Sequence, residues 1–118
     1  MVHKIILDKS FRGIDSTLFT GRPEGIKVRA TLKLDEKDNS SDNYVVYIPS
    51  GTTSFNASFF LGLFFDSIKK LGSMNSFKTK YTICLDDLEE NLRPSILRNL
   101  NECYRKAENE LNNSTGLD

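Results

Sequence analysis

YVVYIPSGTTSFNASFFLGLFFDSIKKLG, residues 44–72, decides how this chain folds. Residues 44–48 are five apolar or β-branched residues in a row, and a run without alternation suits a central parallel strand covered on both faces. Pro49 stops it, and the hydroxyl-rich turn Ser50, Thr52, Thr53, Ser54 follows. A helix then begins. Ala57, Phe60, Leu61, Phe64, Phe65, Ile68 and Leu71 share one face at the spacing of a helix laid on a sheet. Phe59 and Leu63 project from the other side, beside Gly62 and Asp66, so either a second layer covers them or they form an exposed patch for a partner. With Asn56 as the N-cap, Phe55 and Phe60 fall where a hydrophobic staple forms, and Ser58 sits at N2. There the helix dipole favours an added phosphate. The plainer reading of these hydroxyls is that they satisfy turn and cap backbone groups.

Working outward, Val2, Ile5, Ile6 and Leu7 suit an opening strand ahead of a polar turn. Residues 11–20 are irregular, with Phe11, Ile14, Leu18 and Phe19 spaced by Gly13 and Asp15, and read as a loop or short edge strand. In GRPEGIKVRATLKL, residues 21–34, the alternation of Ile26, Val28, Ala30, Leu32 and Leu34 favours a strand, while Pro23 suits a helix start. Residues 35–43 carry no apolar side chain and read as a solvated, mobile connection. FKTKYTIC, residues 77–84, reads as another strand. From residue 86 the chain is helical, with Leu97, Leu100, Tyr104, Ala107 and Leu111 on one face and Pro94 starting or kinking the helix. The expected organisation is one domain over 1–111 and a flexible tail over 112–118.

The 118 residues suffice for one domain with a real core. Lys plus Arg and Asp plus Glu are 16 each, so no global field recruits nucleic acid or an anionic membrane, and a protein partner or small ligand is the better expectation. The start MVHKIILDKS lacks a basic region followed by an apolar one, which makes the cytoplasm the default location and leaves the sequons at Asn39, Asn56, Asn112 and Asn113 without meaning. The apolar run at 59–65 is too short to cross a bilayer.

No catalytic constellation emerges. His3 is the sole histidine, and Cys84 and Cys103 have no CxxC spacing and no neighbouring base, so metal sites and thiol nucleophiles are not expected and no cofactor is implied. Asp86, Asp87, Glu89 and Glu90 cluster where a helix should begin, as capping acids do. PSGTTS lacks the Gly-Lys-Ser/Thr ending of a phosphate-binding loop. Lys69, Lys70, Lys78 and Lys80, with no acid over 67–85, read as a solvated basic face. Arg22 and Arg29 could clamp an anion beside Thr52 and Thr53, or pair with acids of their own fold.

GRPEG at 21–25 with Arg29, VVYIPSGTTSFNASFFLGLF at 45–64 and IKKLG at 68–72 resemble the STAS-like domains of unknown function of bacteria and phages, which are related to sulphate transporter and anti-sigma factor antagonist domains. The resemblance covers about residues 19–106, and SFFLGLF at 58–64 is its most specific part. It implies an α/β fold, a small mixed sheet of about four strands with helices packed around it, and makes residues 21–34 a helix. It also implies a non-enzymatic regulatory or protein-interaction module whose partner is a protein, in the antagonists a histidine-kinase-like ATPase that phosphorylates a serine at the start of the helix after a central strand. Antagonists carry an Asp-Ser-Ser-Gly motif there, whereas this chain has Asn56, Ala57, Ser58, Phe59, which leaves Ser54 or Ser58 as the regulatory serine and Phe59 with Leu63 as the partner surface. The alternative is a small-anion or nucleotide-binding domain using the turn and helix N-terminus at 50–58.

Overall fold

The computed structural model describes residues 1–12 and 16–116; the expectations for Gly13, Ile14 and Asp15, and for the last two residues of the tail, lie outside them. The described strands are β1 (Val2–Ile6), β2 (Leu18–Phe19), β3 (Asn43–Tyr47), β4 (Ser54–Phe55) and β5 (Tyr81–Cys84). The helices are α1 (Arg22–Leu32), α2 (Leu34–Asn39), α3 (Ala57–Leu71), α4 (Met74–Lys80) and α5 (Arg93–Gly116), with 3-10 turns at Lys9–Arg12 and Glu90–Leu92. The chain is an α/β globule. The expected mixed sheet of about four strands is corrected to five described strands in two parallel sheets, β1-β3-β5 and the short pair β2-β4.

β3 is the central strand, as its apolar run implies, but only one of its faces is fully covered. Strand order follows chain order across β1-β3-β5. Right-handed crossovers then bring both connections, and all their helices, onto the same face. Burial agrees with that rule: Ile5, Tyr44, Val46 and Tyr81 are buried on one face. On the other, Val2, Lys4, Ile6, Asn43 and Thr82 are exposed and Val45, Tyr47 and Cys84 only half-buried.

α3 is the hub. Its aromatic side chains join a ring cluster that runs from Phe19 and Phe55 through Phe59, Phe60 and Phe64 to Phe77 and Tyr81. α1 packs along one flank of α3 and α5 along another. At the α1 crossing two glycines interlock: a Cβ on Gly62 would stand 2.1 Å from the Arg22 carbonyl oxygen, and one on Gly25 would stand 2.2 Å from that of Phe59. Backbone therefore meets backbone.

Residues 21–34 form a helix despite their alternation. The buried positions of α1 are Gly25, Val28 and Arg29, with Leu32 partly buried, a helical spacing disguised because one member is glycine and another is charged. Ile26, prominent in the alternation, is 54% exposed. Lys33 takes the left-handed conformation, φ 55°, and bends the chain directly into α2. The expected mobile connection is thus partly a helix, with Leu34 and Asp38 buried. Residues 77–80 are likewise helical, closing α4, whose N-cap Ser73 accepts from the Ser76 amide at 3.1 Å. Only residues 81–84 form the expected strand. α5 begins after the 3-10 turn with Pro94 in its first turn, buries Ile96, Leu100, Cys103 and Ala107, and runs on through residues 112–116; Leu97 is 52% exposed.

Candidate functional site

The turn after β3 gathers its hydroxyls as expected, and Thr52, Thr53 and the Gly51 amide are engaged by the fold. Thr52 is fully buried; its Oγ1 donates to the Pro49 carbonyl at 2.8 Å and accepts from Arg12 Nη1 at 2.9 Å. Arg12 Nη1 also donates to the Ser50 carbonyl, and the guanidinium lies over the Phe19 ring. Thr53 is exposed and shares a hydrogen bond of 2.7 Å with Thr17 Oγ1. The Gly51 amide donates to Glu89 Oε1 at 2.8 Å, a bond that leads in holding the Glu89 carboxyl below its usual pKa. Glu89 therefore fills the anion-receiving position of this turn from within. Glu89 stands at the N-cap position of the 3-10 turn that leads into α5, with Glu90 in its first turn, so these acids sit where a helix begins as expected, although the Glu89 side chain makes no cap hydrogen bond there.

Arg12 and Glu89 are the residues that pattern reasoning missed at this corner. Arg12 lay in an irregular segment, and the partner that recruits it is 40 residues away, so no local spacing announces it. Arg22 and Arg29, expected as an anion clamp with Thr52 and Thr53, are instead paired within the fold. Arg22 binds both carboxylate oxygens of Glu110, at 2.9 and 3.5 Å, and stacks on Phe65. Arg29 is buried with Asp38. The adjoining cleft, about 500 Å³ at the carboxyl ends of β1 and β3, is lined by Asp8 and Asp87 as well as Lys9 and Ser50. Those carboxylates oppose an anion there.

Asn56 is the N-cap of α3: its Oδ1 accepts from the Ser58 amide at 2.7 Å and from the Ser58 hydroxyl at 2.6 Å. The staple rings of Phe55 and Phe60 meet edge-on, 6.4 Å apart. Ser58 Oγ also accepts from the Gly21 amide at 3.2 Å, so this half-buried hydroxyl ties the start of α3 to the start of α1. Ser54 is half-buried on β4.

The expectation of a partner surface at Phe59 and Leu63 is corrected. Both are wholly buried beneath α1, because a helix apolar on two sides is covered on two sides. The basic run is solvated at Lys69, Lys70 and Lys78, as expected, and corrected only at Lys80. Lys80 is buried and donates to the carbonyls of Ser40 and Asp42, Lys78 sits 4.4 Å from the Tyr104 ring centroid, and Lys69 pairs with Asp66. Cys103 is buried, donates to the Phe55 carbonyl, and is pushed up to about 12 by burial. Among the described residues no group of three or more His, Cys, Asp and Glu could hold a metal ion, and no helix is long and apolar enough to cross a membrane.

What remains unsatisfied is the open face of the three-stranded sheet. Val2 and Ile6 are 64% and 62% exposed there, with Val45, Tyr47 and Cys84 half-buried beside them. Lys4 Nζ lies 5.4 Å from the Tyr47 ring centroid and, among the described residues, has no ion-pair partner. Parallel sheets normally carry helices on both faces. This one has a face left over.

Compared with protein-family models, curated proteins and solved structures, the chain matches none.

Proposed function

We propose that this chain is a non-enzymatic protein-interaction module of STAS-like character that docks a partner protein on the open face of its parallel sheet. The single observation that carries the proposal is the apolar, uncovered face formed by Val2, Ile6, Val45, Tyr47 and Cys84 in a sheet type that is ordinarily covered on both sides. The hydroxyl corner supports the same reading by contrast. Its Gly51 amide, the Thr52 and Thr53 hydroxyls and Arg12 Nη1 are drawn into the fold's own hydrogen bonds.

In this reading Ser58 is the regulatory serine, and a histidine-kinase-like ATPase is the enzyme that would modify it. Its hydroxyl bridges Asn56 and the Gly21 amide, so a phosphate would break the tie between α1 and α3 while resting at a helix N-terminus that favours its charge.

Ile6→Glu tests the surface. Ile6 is mostly exposed, and substitutions at such positions usually change stability by less than about 0.5 kcal/mol. In co-purification from cells that express the chain naturally, the partner retained by wild type and by the control Leu97→Glu is expected to be lost with Ile6→Glu at unchanged melting temperature. Retention by Ile6→Glu together with loss in Ser58→Glu would move the docking surface to the 50–58 corner.

A further inference from the structure

The open face also says what kind of element covers it. We infer that its occupant is a single amphipathic helix of the partner protein, about three turns long, whose apolar stripe carries an Asp or Glu that meets Lys4. This inference rests on the docking reading above.

Size points to one helix. Five residues at a rise of about 3.3 Å make the face about 16 Å long, the length of a helix of about 11 residues. Three strands about 4.8 Å apart make it roughly as wide as one helix with its side chains, about 10–12 Å. A domain-sized contact buries about 800 Å² on each partner, more than so small a face offers. Helices are also the elements that cover parallel sheets.

Charge selects the helix. Lys4 is the sole formally charged side chain among Val2, Lys4, Ile6, Asn43, Val45, Tyr47, Thr82 and Cys84. Covering the face removes Lys4 from water, and an uncompensated ammonium is costly there, so the occupant must bring a carboxylate. A second copy of this chain does not. Two-fold stacking with antiparallel strands sets Lys4 against Lys4, and stacking with parallel strands sets β1 over β5, where Lys4 meets Thr82.

Two designed helical peptides of about 12 residues test this, identical in a Leu and Ile stripe but carrying Glu or Lys at its centre. Titrated into the ¹⁵N-labelled chain, the Glu peptide is expected to shift the amides of residues 2–6, 43–47 and 82–84 and to bind roughly tenfold tighter than its Lys twin. Lys4→Glu is expected to reverse that order. Equal affinities, no reversal, or shifts confined to other residues would overturn the helix proposal. So would concentration-dependent dimerisation in sedimentation that Ile6→Glu abolishes, since it would make a second copy the occupant. These results leave the docking reading to the co-purification comparison, so the two can fail separately.

Discussion

Asp38→Ala is expected to lower folding stability by about 3–5 kcal/mol, the usual cost of removing one partner of a buried ion pair. The Asp38 side chain is 0% exposed and accepts three hydrogen bonds: from Arg29 Nη2 at 2.7 Å, Ser67 Oγ at 2.9 Å and the Tyr81 hydroxyl at 2.6 Å. Arg29 Nη1 donates in turn to Ser67 Oγ and the Leu63 carbonyl. Burial works against the Arg29 charge, but Asp35 and Asp38 together hold its pKa above the usual value; burial and then Asp38 raise that of Tyr81. The network therefore joins α1, α2, α3 and β5. Without Asp38 the guanidinium keeps Asp35, whose side chain is 85% exposed, as its one ion-pair partner among the described residues, and the Tyr81 hydroxyl loses its acceptor. Against a total stability of about 5–15 kcal/mol for a domain, the loss is large and should lower the melting temperature by roughly 10–20 °C. Asp35→Ala, breaking the exposed arm of the same network, should cost no more than about 1 kcal/mol. Similar losses in the two variants, measured by urea denaturation, would contradict a buried hub at Asp38.

Gly62→Ala is the second large effect. The added methyl would lie 2.1 Å from the Arg22 carbonyl oxygen and 3.0 Å from the Ile26 amide nitrogen, both main-chain atoms that cannot rotate away. In an exposed helix the same change gains up to about 1 kcal/mol from helix propensity. Here overpacking outweighs it. Overpacking costs about 1–3 kcal/mol in ordinary cores, occasionally more, and backbone contact belongs at the upper end. The neighbouring exposed position offers the contrast: Ile26→Ala, half-exposed on α1, should be nearly neutral. A stabilised Gly62→Ala would mean that α1 and α3 do not cross as closely as described.

The parts of this architecture that could be read from residues are those in which apolar side chains report burial directly. β3, the N-cap at Asn56, the Phe55–Phe60 staple and most of the inner face of α5 follow from local chemistry. Where a buried position is polar or glycine, the signal inverts. α1 alternates like a strand because Gly25 and Arg29 occupy two of its buried positions, and α2 looked solvated because Asp38 is buried by its pairing with Arg29. Phe59 and Leu63 looked like a patch because the layer that covers them, α1, was itself obscured. The corner at 50–58 was visible as hydroxyls, but its completion by Arg12 and Glu89 depends on contacts across 38 to 40 residues. The open sheet face could not be read at all, since it depends on strand order and crossover handedness rather than on any one segment.

The proposed docking site accordingly lies on the open face of the sheet rather than in the turn after β3. The most direct check is site-specific photocrosslinking in the cells that express this chain, with benzophenone side chains at position 6 on the open face and at position 53 in the hydroxyl corner, both solvent-exposed. A discrete covalent adduct with a second protein from position 6, absent from position 53, is the predicted result; an adduct from position 53 alone would contradict docking on the sheet.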